Sequence, residues 1–302
     1  MTPHNGRSFL VGLIGAGIGT SLSPALHERQ ADALGLRYSY RILDLDVMGV
    51  PATAVGGVLA AVRLAGFDGV NVTHPVKQLI IEHLDVVSPD AAAVGAVNTV
   101  LFADGATVGH NTDLPGFVRA LTTGMPDAAL DRVVVLGAGG AGAAVAHGLL
   151  SLGTGTVSVF DTDARRSDAL ARRLTRRFGE RRAETGPISN LADAIRDADG
   201  LTHATPTGME GHPGLPLPVE LLGPGLWVAD IVYRPLDTEL IVAARARGCQ
   251  VLDGGRMTAF QAAESFRLFT AVEPDAERML RQFYELVHPT AGRRSTHVRH
   301  QR

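Results

Sequence analysis

The chain is poor in cysteine, lysine and aromatic residues, and it has no long apolar run. With one cysteine, Cys249, it can form no internal disulfide, and no Cys/His cluster has zinc-ligand spacing, so no metal site is expected. No apolar stretch reaches the roughly 18 residues of a membrane span. The start, MTPHNGRSFL, lacks a basic stretch leading into an apolar core, so a soluble cytoplasmic protein is expected. Excess charge is missing too. A net charge of −3 gives no electrostatic case for a nucleic-acid or membrane partner. Length and composition exclude wholesale disorder: 302 residues, 45% hydrophobic and 20% charged, suit two domains with a sizeable core.

The lysine shortage is informative. Of 28 basic residues 27 are arginine, and Lys77 is the only lysine. Arginine replaces lysine on most surfaces, but not where a proton must be released near neutral pH, because the guanidinium holds its proton to above about pH 12. Lys77 therefore reads either as a residue kept for chemistry or as one left by drift.

Along the chain, strands are expected over 9–14, 38–43 and 69–73, with helices from about Pro24, over 51–65 and over 76–84. Short extended pieces follow at 98–100 and 107–109. A second unit begins with an apolar strand at 132–136, and further strands are expected at 156–160, 200–204, 227–231 and 249–252. One long helix should run from about Thr258 to the late 280s, with Phe260, Ala263, Phe266 and Phe269 at helical spacing. Strands alternating with helices imply an α/β fold with mostly parallel sheets.

Residues 137–142 fit G-x-G-x-x-G through Gly137, Gly139 and Gly142, with Ala138, Gly140 and Ala141 between them. The run follows a strand and opens a helix, and Asp161 ends the next strand 19 residues beyond Gly142. The first glycine allows a tight turn, the second admits a pyrophosphate, and the third lets helix pack on strand. The carboxylate can accept from the adenosine ribose and should repel a 2′-phosphate, so NAD is expected rather than NADP. Arg165 and Arg166 could clamp such a phosphate. They open a segment with eight arginines between 165 and 182, most of which read as a solvated face. The earlier glycine-rich run at 15–20 lacks the third glycine, and no acidic residue is seen to close the following strand cleanly. It reads as a tight turn exposing Ser21 and Ser23. These two are either a loop serine and a helix cap or paired donors for a carboxylate.

The run from Asn71 to Lys77 follows a strand, where α/β sheets present ligand groups. With Asn98-Thr99 and Asn111-Thr112-Asp113 it offers hydroxyls, amides, one amine and one carboxylate, a set suited to a polyhydroxylated substrate. Lys77 and Asp113 form a plausible acid/base pair.

Seven motifs in order resemble the shikimate dehydrogenase family. They are SLSP at 21–24, NVTHPVK at 71–77, GAVNT at 95–99, NTDLPG at 111–116, GAGGAG at 137–142, ATPTGM at 204–209 and GGRMTAFQAA at 254–263. Asp161 and DIVYRPLDTEL at 230–240 make the NAD-preferring quinate/shikimate branch the nearest resemblance. It implies an α/β substrate domain over 1–114, a Rossmann-type NAD domain over 115–259, and a C-terminal helix over 260–288 packing back on the first. A disordered tail is expected at 289–302. It also implies that Ser21 and Ser23 hold the substrate carboxylate, and that Thr73, Asn98 and Gln261 bind ring hydroxyls with Tyr233 nearby. Lys77 and Asp113 would be catalytic. The cofactor set would be residues 137–142, Asp161, Arg166, Thr205, Val232 and Gly254.

Three departures stand out. His203 replaces the frequent asparagine before ATPxGM, and Asp161-Thr162-Asp163 replaces the Asn-Arg-Thr/Ser of NADP-type members. Ser23 stands where members that use quinate often have threonine. The implied reaction is reversible NAD-dependent oxidation of the C3 hydroxyl of shikimate, and of quinate, to the ketone, in a monomer or homodimer. The alternatives are an amino-substituted relative as substrate and a non-catalytic NAD-binding sensor.

Overall fold

The computed structural model describes residues 8–288; the expected disordered tail at 289–302 lies outside them. The first sheet comprises β1 (Ser8–Gly15), β2 (Arg37–Asp44), β3 (Gly69–Val72), β4 (Val86–Val87), β5 (Thr99–Ala103) and β6 (Ala106–His110), in the order β2-β1-β3-β5-β6-β4. β1 is parallel to β2 and β3, and β4 to β6, while β5 is antiparallel to both its neighbours. The antiparallel part comes from a hairpin: Asp104 and Gly105 both have positive φ, 50° and 79°, between the paired Ala103 and Ala106. Asp-Gly is a favoured two-residue hairpin loop because its twist matches that of the strands.

The second sheet is wholly parallel among the described residues. It comprises β7 (Arg132–Leu136), β8 (Thr156–Phe160), β9 (Ala183–Thr185), β10 (Gly200–His203), β11 (Trp227–Asp230) and β12 (Gln250–Leu252), in the order β12-β11-β10-β7-β8-β9. This is the doubly wound order, with chain direction switching between β7 and β10, where such sheets bind ligands. Val133 to Leu136 are buried, as strands covered by helices on both faces require.

Three local expectations are corrected. The segment 76–84 is not an α-helix: only Leu79–His83 coils, as a 3-10 helix, because the Lys77 carbonyl accepts the Val97 N–H at 2.8 Å. Ser23 does not cap its helix. The helix Ser23–Ala33 starts at that residue, and Leu22 occupies the cap position without a side-chain bond. The single C-terminal helix is two, Gly254–Thr270 and Ala276–Val287. Ala271 leaves helical geometry at φ 56°, Pro274 follows, and the Asp275 side chain caps the second helix through the Arg278 N–H.

The helix Gly254–Thr270 ties the sheets together. It lies so close to the helix Asp113–Gly124 that a side chain on Gly116 would meet Gln261 at 2.8 Å. Farther along, Phe266 stacks on Tyr38 of β2, centroids 5.5 Å apart, and Phe269 covers Gly69 of β3. No helix among the described residues is long and apolar enough to cross a membrane.

Under this helix His27 is buried among Tyr38, Tyr40, Phe266 and Phe269, and burial pulls its pKa down to about 3. The unfolded ring titrates near 6.5, so below that pH the unfolded chain binds the extra proton. The stabilising effect of a neutral His27 is complete above pH 6.5 and is lost as pH falls towards 3. Unfolding free energies from urea titrations between pH 6 and 4 should fall more steeply for the natural chain than for His27→Phe, by up to about 1.4 kcal/mol per pH unit. Equal slopes would mean that the folded ring is not held neutral.

Candidate active site

Lys77 Nζ donates to Asp113 Oδ2 at 2.6 Å, across two segments that share no strand or helix. Asp113 opens the helix Asp113–Gly124, where the helix dipole favours a carboxylate. Its other oxygen accepts the Asn98 amide at 2.8 Å. Asn98 is itself held on every side: Nδ2 also donates to Thr112 Oγ1 at 2.9 Å, and Oδ1 accepts the Thr112 N–H at 2.7 Å. With both amide hydrogens taken and its side chain buried, Asn98 sits behind the pair and orients Asp113.

The lysine stem crosses to the other half of the chain. A Cβ on Gly140 would lie 3.3 Å from Lys77 Cβ and Cδ, so the Lys77–Asp113 pair stands against the N-terminus of the helix Gly140–Ser151.

Ser21 Oγ donates to Ser23 Oγ at 3.2 Å. The Tyr233 phenol lies beside Ser21 and the Tyr40 phenol beside Ser23. Burial pushes both phenols above their ordinary pKa, keeping them protonated. Tyr40 donates onward to Asn71 Oδ1 at 2.8 Å. Arg234 donates to the Thr20 carbonyl beside these serines and pairs with Glu210 at 3.0 Å. Gln261 Oε1 lies 3.4 Å from Thr112 Oγ1. Half-buried Thr73 ends the strand segment with its methyl against Gly15.

The first glycine turn is corrected in one respect. An acidic residue does close the following strand: Asp44 accepts the Gly17 and Ile18 N–H groups at 3.0 and 2.8 Å. Those donors are occupied within the chain, so this turn offers no anion site through them.

The second glycine turn fits a dinucleotide. Gly137 has φ 102°, and a Cβ there would stand 2.5 Å from the Ala204 carbonyl. One on Gly142 would stand 2.0 Å from the Gly137 oxygen. Nothing lies within 4 Å of that position at Gly139, which heads its helix with no side-chain cap. The turn is thus tight at its first and third glycines and open at its second, with amide donors at a helix N-terminus. Gly140 and Ala141 form the first turn of that helix. Asp161 accepts the Ala138 and Asp163 N–H groups at 2.7 and 2.9 Å, one on each oxygen, leaving each a further lone pair for a ribose hydroxyl. Asp163 pairs with Arg165 at 3.2 Å and with Arg166 at 3.9 Å. These arginines, Arg173 and Gln78 line a cleft beside Ala138. Across the turn, Thr205 approaches Gly137, and Gly254 lies against the Val232 carbonyl.

Residues 13–100 match the model of the shikimate dehydrogenase substrate binding domain. A shikimate dehydrogenase (NADP(+)) of Streptomyces avermitilis is 60% identical, the alignment covering 95% of this chain and 98% of that protein. The chain belongs to the shikimate dehydrogenase family. Both cofactor branches of the shikimate dehydrogenases are represented among its relatives. A quinate/shikimate dehydrogenase (NAD(+)) of Corynebacterium efficiens is 44% identical over 93% of this chain and all of that one. The structure of quinate dehydrogenase from Corynebacterium glutamicum in complex with NAD superposes with a TM-score of 0.85, at 44% identity over 92% of this chain and 99% of that one. The Thermus thermophilus shikimate 5-dehydrogenase in complex with NADP(H) and shikimate gives 0.80, at 38% identity over 92% and 99%.

Tyr40, Arg234 and Asp230 were not singled out from the sequence. Tyr40 is one of two tyrosines in β2, and only folding turns it towards Asn71. The glycine geometry yields a direct test. Gly139→Ala should unfold at the natural chain's temperature, because its side chain meets open space, yet bind nicotinamide dinucleotide at least tenfold more weakly by calorimetry, since the methyl enters the pyrophosphate position. Undiminished binding would place the dinucleotide elsewhere.

Proposed function

We propose that the chain catalyses reversible NAD-dependent oxidation of the C3 hydroxyl of shikimate, and of quinate, to the 3-dehydro ketone. The observation that carries this reading is the Lys77–Asp113 pair, 2.6 Å apart, backed by Asn98 and set against the helix that opens the dinucleotide turn. A bound nicotinamide dinucleotide supplies the hydride acceptor. Lys77 takes the proton of the substrate hydroxyl, and Asp113 stabilises the resulting ammonium; in the reverse direction Lys77 returns that proton. Ser21 and Ser23 donate to the substrate carboxylate with Tyr233 adjoining, and Thr73 and Gln261 hold ring hydroxyls. We assign residues 1–114 to the substrate domain, 115–259 to the cofactor domain and 260–288 to the returning C-terminal segment, in a cytoplasmic enzyme.

The choice of NAD is supported by two carboxylates, Asp161 and Asp163, beside the ribose position, where a 2′-phosphate would meet like charge. A second reading, NADP, is favoured by Arg165, Arg166 and Arg173 along the same cleft and by the 60% identical relative named for NADP(+). Reduced-nicotinamide absorbance with shikimate or quinate, each with NAD or NADP, separates them: NAD should give at least tenfold higher kcat/KM. Asp163→Ser, which removes one charge and frees both arginines, should move the ratio several-fold towards NADP. Turnover with NADP alone would overturn the NAD assignment. Dinucleotide binding with no turnover of either acid would turn the search to amino-substituted substrates or to a sensor.

Lys77→Ala should lose about 10²–10⁴-fold in kcat, the usual contribution of a positioned base. Lys77→Arg should do little better, since arginine can hold the hydroxyl but not take its proton. Near-natural turnover in either variant would remove Lys77 from the mechanism.

A further inference from the structure

A buried polar chain lies outside the acid/base pair. His203 ends β10 and Asp230 ends β11, and the two are partners in the strand register. Both side chains are wholly buried, with His203 Nδ1 3.0 Å from Asp230 Oδ1. Asp230 takes two further donors: the Val232 N–H at 3.0 Å and the Thr238 hydroxyl at 2.7 Å, which in turn caps the helix Glu239–Ala246. A carboxylate only accepts, so Nδ1 carries the hydrogen between them; in the neutral ring Nε2 is then the acceptor for the Thr205 hydroxyl it touches. Thr205 Oγ1 also accepts the Thr207 N–H at 3.3 Å.

These bonds fix the hydroxyl. Its hydrogen points inward to His203 and one lone pair is taken by Thr207, so a single lone pair remains, on a half-exposed residue. Thr205 stands against Gly137 at the start of the dinucleotide turn, its methyl 3.1 Å from where a Cβ would be. Asp230 meanwhile anchors Val232, whose carbonyl packs on Gly254. One buried carboxylate therefore sets two of the segments that border the cofactor cleft.

We propose that His203 is a positioning residue: backed by Asp230, it locks Thr205 as a hydrogen-bond acceptor for the carboxamide N–H of the nicotinamide. The inference rests on the dinucleotide reading of the proposed function and assigns a task to the histidine that departs from the family's frequent asparagine. An acceptor fixed in this way discriminates between a carboxamide and a group of the same shape without N–H, because a partner lacking the donor leaves the remaining lone pair unpaired.

The test is equilibrium binding by calorimetry of NAD and of its analogue with an acetyl group in place of the carboxamide. The natural chain should favour NAD by about tenfold. Thr205→Val keeps the packing against Gly137 and removes the acceptor, and should bring the two affinities within about twofold, chiefly by weakening NAD. His203→Asn can still donate to Asp230 but no longer reaches Thr205. It should lose most of the discrimination while keeping its melting temperature, and raise the KM for NAD without changing that for shikimate. A natural chain that binds both dinucleotides equally, or variants that keep the full preference, would overturn the inference. If the natural chain binds NAD selectively but oxidises neither acid, the proposed function fails while the binding comparison still decides the role of His203.

Discussion

The bond between Lys77 and Asp113 depends on two parts of the chain that reach each other only through a shared sheet. Lys77 is held in a non-helical turn because its carbonyl takes the Val97 N–H. Asp113 is held at a helix start and aimed by Asn98, whose amide is fixed to Thr112. Every bond in this set limits the freedom of the carboxylate, so Lys77 Nζ meets it without reorganisation, as a preorganised site requires. Two further bonded pairs, Ser21 with Ser23 and Tyr40 with Asn71, stand beside one another.

Bare backbone is the second constraint. Gly140 lets the lysine stem pass along the helix of the other sheet, Gly116 lets the helix Gly254–Thr270 sit on the helix Asp113–Gly124, and Gly69 receives Phe269. At each place a side chain would need space that another side chain already fills, and close-packed interiors have little to give. The halves meet where the glycines are. The Lys77–Asp113 pair thus lies beside the glycine turn at 137–142.

Much of the site was legible because its chemistry is written in local strings. The spacing of Gly137, Gly139 and Gly142, with Asp161 ending the next strand, follows from steric needs confined to one strand–turn–helix unit. The lone Lys77 stood out by composition. Other features stayed hidden for equally physical reasons. Asp44 caps a turn 26 residues before it, and a sequence pattern does not show which carboxylate will fold onto which amide. Asn98 was read as a ligand group, and its bonds to Thr112 and Asp113 appear only once the chain is folded. His203 was visible as an unusual residue, but its partner Asp230 is 27 residues away and joined to it only by the pairing of β10 with β11.

The family, the alternation of strands and helices, the glycine turn at 137–142 and the residue types available for acid/base work are legible without the fold. These depend on short-range sterics, side-chain chemistry and motif order, all of which survive in a linear string. Tertiary structure alone decided the antiparallel place of β5, the break at Ala271, the orientation of Asp113 and the locking of Thr205. Those outcomes depend on which distant atoms share a hydrogen bond or a cavity, and that is set by the packing of the sheets and the helix that joins them.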